Sequence, residues 1–150
     1  MALAGDTGLM DEWTAPEVLR RSRIAAWRLT SMGMSPGDRL LTWCPSGPEL
    51  AALTFAAMRV GVALVPLDLR MAPEVIERIA ARAETPYLAI GTGRDAPDPR
   101  EVQLKDAVMR TVPSLVAEPG TDGEDPFPSD WEARIEALPR PNRETLFEIV

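Results

Sequence analysis

The chain contains no histidine. That absence removes imidazole general bases, Ser-His and Cys-His nucleophile pairs, and histidine metal sites. It contains one cysteine, Cys44. An internal disulfide and every multi-cysteine zinc or iron–sulfur motif are excluded with it. There is one lysine, Lys105, and aromatic residues make up 5%. Asp plus Glu number 23 against 16 Lys plus Arg, a net charge of −7. A surface that acidic repels phosphate backbones, so nucleic acid is not an expected partner. Long hydrophobic runs are also lacking. The longest, Leu50–Met58, is far short of a membrane span, and the start lacks the basic and apolar regions of a signal peptide. The reading is a soluble, cytoplasmic chain.

What remains is an ordinary globular mixture: 45% hydrophobic and 26% charged residues over a length of 150. A compact fold of that size buries roughly 68–70% of its unfolded surface, enough for a real core. Proline is the unusual component, at 15 residues, and eight of them lie after residue 90. The chain therefore divides into a tail (1–12), a regular α/β core (13–90) and an irregular Pro-rich extension (91–150).

In the core, Thr14 and Glu17 read as a capping box opening a helix over Ala15–Met32. Val18, Ala25, Leu29 and Met32 share one face, and Arg20, Arg21, Arg23 and Arg28 are assigned to solvent. Gly33 ends this helix, and Ser35-Pro36-Gly37-Asp38 makes a turn. Arg39–Cys44 reads as a buried strand. Ser46 and Glu49 form a second expected capping box, with Pro48 in the first turn of a helix running to Val60. That helix carries Leu50, Leu53, Phe55 and Met58 and is apolar enough to be covered on most sides. Val62–Leu67 is a second strand. Pro66 removes a ladder donor there, which points to a strand end or an edge. Pro73–Glu84 is a third helix, with Val75, Ile76, Ile79 and Ala83 inward, and Tyr87–Ile90 a third strand. Helix and strand alternating over short links predict a three-layer α/β fold with a mostly parallel sheet.

The extension is less periodic. Gln103–Thr111 reads as a helix, Ser114–Glu118 as a fourth strand, and Pro119–Pro128 as a loop. Ser129 and Glu132 suggest a third capping box before a short helix to Leu138. Leu146–Val150 has the composition of a further strand.

No motif carries chemistry on its own. Gly91-Thr92-Gly93-Arg94-Asp95-Ala96 matches G-x-G-x-x-A after a strand, but Pro97 and Pro99 replace the helix that must hold a pyrophosphate, so it reads as a surface loop. Ser46-Gly47 lies at a strand-to-helix turn but lacks the glycines and the Gly-Lys pair of a phosphate loop. Asp68, at a strand end, lacks the acidic pair and lysine of a phospho-acceptor site and reads as a turn or ion-pair residue. Cys44 has no basic neighbour and reads as a buried, inert thiol. Asp130, Glu132 and Glu136 read as helix-face charges. No set of acid, base and nucleophile assembles, so no catalytic, cofactor-binding or metal-binding residue is assigned.

Three stretches together carry a resemblance. They are Trp13 to Leu19 (WTAPEVL), Pro36 to Glu49 (PGDRL…CPSGPE) and Met58 to Asp68 (MRVGVALVPLD). In order and spacing the chain resembles the N-terminal portion of the AMP-forming acyl-CoA synthetases. These belong to the adenylate-forming superfamily, with luciferase and peptide-synthetase adenylation domains. Thr14 and Glu17 are kept from its T-Y-x-E-L opening, and Ala15 replaces the aromatic. Ser46-Gly47 replaces an Asn-Ser pair, and Val60 an alanine.

The resemblance implies a parent that uses Mg-ATP to convert a carboxylic or fatty acid to acyl-AMP, then transfers the acyl group to coenzyme A. ATP, Mg and CoA are thus expected for the full-length parent and none for this chain. The family's phosphate loop follows directly after a segment like Glu148-Ile149-Val150. The expectation is an N-terminal fragment, structural and inactive by itself, whose partner is the remainder of the parent enzyme. Homo-oligomers through an exposed edge or apolar face are expected of such a fragment. Two other readings stay open: a standalone small α/β binding module, and an adenylation domain feeding a carrier protein.

Overall fold

The computed structural model describes residues 12–93, 96, 98, 100, 106–120 and 127–140. The element order is α1 (Ala15–Ser31), β1 (Arg39–Trp43), α2 (Pro48–Val60), β2 (Ala63–Pro66), α3 (Pro73–Ala83), β3 (Tyr87–Ile90), β4 (Val108–Thr111), α4 (Val112–Val116) and α5 (Trp131–Glu136). The predicted strand Leu146–Val150 and Gln103–Lys105 lie outside the described residues.

The strands form one sheet in the order β2-β1-β3-β4, and every pairing is parallel. Leu41 sits opposite Val65 in β2 and Leu88 in β3. Side chains alternate along β1. Leu40 joins a cluster with Ala25, Leu29, Leu53 and Ala56 of α1 and α2, while Leu41 and Trp43 join Ile76 and Ala80 of α3. The sheet thus has α1, α2, α4 and α5 on one face and α3 on the other, three layers in all. Continuous apolar strands are what burial on both faces requires. Pro66 is the last residue of β2, and β2 lies at the sheet edge, so the missing donor removes no central ladder bond.

The helix ends show which local signals act. Thr14 Oγ1 accepts from Glu17 N at 3.3 Å, which is half of the expected box. The other half is absent, because the Glu17 carboxylate takes Arg21 Nε at 2.8 Å. A charged partner one turn away outcompetes a backbone donor. Gly33, at φ +94°, closes α1 with its N–H on Thr30 O, and Gly61, at φ +88°, closes α2. Asp38 accepts from Ser35 N in the turn between α1 and β1.

Five expectations change. Val108–Thr111 is a strand, not the end of a helix, and Val112–Val116 is a helix, not part of a strand at Ser114–Glu118. Val112, Leu115 and Val116 are all buried. Their spacing of three and four is the helical signal, which the β-branched composition obscured. Ser129 and Glu132 do not make a capping box: the N-cap of α5 is Asp130, without a side-chain cap bond. Phe55 and Met58 of α2 are 47% and 46% exposed, so α2 is not covered on most sides.

Arg28 is the fifth. It is 3% exposed, not on the solvent side. Its Nη1 donates to Leu115 O at 3.0 Å and Ala117 O at 2.5 Å, at the open end of α4. Arg21, half-buried, donates to Val116 O at 3.0 Å. Two guanidinium groups thus satisfy carbonyls that a short helix leaves without partners. Burial and the neighbouring Arg110 and Arg21 push the Arg28 pKa down to about 10, so the charge persists through neutral pH. Arg59 does the same for α5, donating to the carbonyls of Ile135, Glu136, Leu138 and Pro139. Phe127 holds the same segment to α1, with its ring 6.1 Å from Trp27 and 5.2 Å, edge-on, from Trp131.

Arg20 and Glu118 form an exposed bidentate pair, with Nη2 at 2.7 Å from Oε2. The hydrogen bond from Arg20 holds the Glu118 carboxyl below its ordinary value of 4.5. A carboxylate with a depressed folded pKa contributes stability above its unfolded value, and that stability is lost as pH falls through the folded value. We expect Glu118→Gln to lose less than about 1 kcal/mol at pH 7. The difference from the parent chain should vanish in acid well below 4.5. Urea denaturation at both pH values checks this; an equal deficit at both would reject the ion-pair origin.

Candidate functional site

The order β2-β1-β3-β4 fixes where a crevice opens. The chain leaves β1 toward β2, and leaves β3 toward β4, on opposite sides. Between β1 and β3 the connections diverge, and the space above the carboxyl ends of these strands is left open. A cleft of about 290 Å³ lies there. Its floor is the end of β1 (Cys44, Pro45) and the end of β3 (Gly91, Thr92), and its walls include Trp13, Glu49 and Pro113. The amino ends of α1, α2 and α4 therefore meet at one place.

These ends are not equivalent. Thr14 caps α1, and Thr111 accepts from Ser114 N at 3.2 Å to cap α4. The N-cap of α2 is Gly47, with no side-chain cap bond, so the predicted Ser46–Glu49 box does not form. Pro48 at the first position removes one N–H from the set that needs a partner. Glu49, in the first turn, supplies negative charge to the positive end of the helix dipole and borders the cleft.

Gly91 is closely packed at the floor of the cleft. A Cβ there would lie 2.7 Å from Pro45 Cδ, 3.0 Å from Cys44 Sγ and 3.1 Å from Cys44 Cα. Its N–H donates to Trp43 O at 2.9 Å, continuing the β1–β3 ladder by one residue. In the sequence Gly91 reads only as the first glycine of a surface loop. The structure gives it a specific task, the close approach of two strand ends, while Thr92 and Gly93 are exposed loop residues. Arg94, Asp95, Pro97 and Pro99 lie outside the described residues.

The chemistry available at the cleft is limited. Cys44 is half-buried rather than fully buried, and burial together with the Glu49 charge pushes its thiol up, away from the reactive thiolate. Ser46 is exposed and has no adjacent base. Asp68 accepts from the Arg70 backbone N at 2.8 Å and from its guanidinium, which hold its carboxyl below the usual carboxylate range; it is a turn residue. Asp130 pairs with Arg134 at 3.0 Å, and Glu132 and Glu136 are exposed on α5, as helix-face charges.

Among the described residues no group of three or more His, Cys, Asp or Glu is placed to hold a metal ion, and no helix is long and apolar enough to cross a membrane. One carboxylate, no lysine and a proline at the helix start do not fit the triphosphate of Mg-ATP, so no step of nucleotide chemistry is assigned to this cleft.

A doubly wound parallel sheet with a crevice at its switch point defines a ligand-binding class of fold, not one activity. Residues 3–146 match the AMP-binding enzyme family, and the chain belongs to it. A salicylyl-CoA synthase / salicylate adenylyltransferase of a Streptomyces species is 34% identical over 86 residues, which is 57% of this chain and 15% of that protein. An L-proline–[L-prolyl-carrier protein] ligase of Streptomyces coelicolor is 36% identical over 74 residues, covering 49% of this chain and 14% of the relative.

Among solved structures, the N-terminal subdomain of NpsA from Klebsiella oxytoca, in complex with 3-hydroxyanthranilyl-AMSN, superposes with a TM-score of 0.58. It is 18% identical and spans 87% of this chain and 27% of that one. The fold is that of the N-terminal subdomain of adenylate-forming enzymes, and the matched stretches are a small part of each curated relative.

Proposed function

We propose that the chain is the N-terminal scaffold of an enzyme that activates a carboxylic acid as its acyl adenylate and passes the acyl group to a thiol. The family match across residues 3–146 carries this reading. Within it, the chain supplies packing surfaces and the switch-point cleft. Nucleotide binding and acid–base work fall to residues of the longer enzyme, for which ATP, Mg and CoA are the expected substrates and metal, and the cytoplasm the expected location.

A second acceptor is favoured by a specific observation: one relative is named as a carrier-protein ligase, the other as a CoA synthase. An adenylation unit loading a carrier protein is therefore the alternative to a CoA ligase. Fatty, aryl and amino acid substrates all fit the scaffold reading.

The chain alone is expected to give no saturable ATP binding by calorimetry and no acid-dependent ATP–pyrophosphate exchange. The donor set of the cleft motivates that expectation. Saturable heat on ATP titration, abolished by a substitution lining the cleft, would overturn the scaffold reading.

A further inference from the structure

A second concavity, of about 370 Å³, is lined by α1, α2 and the end of α5. Among the described residues the exposed large apolar side chains are Leu19, Phe55, Met58 and Val108. Leu19, Phe55 and Met58 all border this one groove. Apolar residues gathered on neighbouring helices mark a contact surface, which single scattered ones do not.

The rim is positive. Arg23, Arg59 and Arg140 stand against Glu136 alone. Hydrogen bonds from Arg59 to the carbonyls of Ile135 and Leu138 hold its guanidinium in place there. A second copy would bring arginines onto arginines, which opposes self-association at this face. The complementary occupant is an apolar surface flanked by carboxylates.

Two observations put that surface in the same polypeptide. The chain spans 27% of the NpsA chain on which it superposes and 15% and 14% of the two curated relatives. In an enzyme of that size most of the body lies outside these 150 residues and has to pack on them. Arg140, the last of the described residues, also stands on the groove rim. The polypeptide that follows it is tethered at this place. A segment of it therefore meets the groove at a high effective concentration, which no separate molecule shares.

We propose that the groove seats an amphipathic segment of the longer enzyme from beyond Val150, with apolar side chains over Leu19, Phe55 and Met58 and carboxylates toward Arg23 and Arg140. The proposal rests on the reading of the chain as the scaffold of a longer enzyme, and it names the face by which the scaffold holds the rest. It does not use the switch-point cleft.

The test places a cysteine in the groove, Phe55→Cys or Met58→Cys, both in the 150-residue chain and in the longer enzyme. Alkylation by iodoacetamide is followed by peptide mapping, so that Cys44 is scored separately. In the 150-residue chain the new thiol should react as an exposed thiol at every protein concentration. In the longer enzyme it should react at least about tenfold more slowly, because the segment must open first. Arg23 is exposed in this chain, so Arg23→Glu should leave its thermal melt unchanged. In the longer enzyme the same change should speed the labelling. Equal rates in the two proteins would overturn the proposal. Protection that grows with the concentration of the 150-residue chain would assign the groove to a second copy, and protection at every concentration to the chain's own residues; either result overturns it. Labelling of the longer enzyme that ignores Arg23→Glu would reject a carboxylate-bearing occupant. Acid-dependent ATP–pyrophosphate exchange by the longer enzyme tests the activation reading separately. Exchange with an unprotected thiol sinks the groove proposal alone, and protection without exchange sinks the activation reading alone.

Discussion

Replacing Arg28 with methionine is expected to cost about 2–4 kcal/mol of stability, although an unbranched apolar stem is kept. The guanidinium is almost wholly buried and supplies the donors for Leu115 O and Ala117 O, with a longer contact to Glu118 O. Methionine leaves those carbonyls facing a thioether, and a buried acceptor without a donor costs more than the bond contributed. Lysine keeps the charge but not the planar fork, so Arg28→Lys should fall between the two. Loss of the α4 anchor should also weaken packing of Val112 and Leu115 against α1 and α2. Urea denaturation of the three chains checks the ranking. A methionine variant within about 0.5 kcal/mol of the parent would show that water replaces the guanidinium at no cost.

The second large effect is expected at Gly91. Alanine there must move Pro45 or separate the ends of β1 and β3, because Pro45 Cδ and Cys44 Cα belong to groups that cannot rotate away. We expect a loss of about 1–3 kcal/mol for Gly91→Ala and more for Gly91→Val. Gly47 is the control. It lines the same cleft, its φ of 168° is extended backbone open to any residue, and nothing lies within 4 Å of a Cβ placed there. Gly47→Ala should change stability by less than about 0.5 kcal/mol. Thermal melts of both variants separate crowding from the general effect of removing a glycine. Equal losses at the two positions would reject the steric account.

The core was legible because its signals are local. Short apolar runs mark β1, β2 and β3, and glycines at positive φ close α1 and α2 within a residue or two of where they are expected. The extension was harder for a physical reason. Val112–Val116 is five residues long, and its buried faces are defined by α1 and α2, over eighty residues earlier in the sequence for α1. Composition alone favours a strand there, and tertiary contact overrides it. The burial of Arg28 is hidden from the sequence for the same reason. An arginine among arginines on a helix reads as solvated, and nothing nearby in sequence announces the carbonyls it will meet.

The cleft was half legible. Each strand end was visible, but not which two ends lie side by side, since adjacency of β1 and β3 follows from the order of the whole sheet. The exposed apolar face of α2 reads in the sequence as covered. The sequence reports how apolar a helix is, not how many neighbours it has.

The two guanidinium bridges have a kinetic consequence. Arg28 joins residues 87 to 90 positions away, and Arg59 joins residues 76 to 80 away. Such distant partners meet only after the intervening chain has been made and has collapsed. α5 therefore docks onto a surface assembled earlier. In a refolding experiment followed by pulsed hydrogen exchange, amides of α5 should gain protection after those of α2.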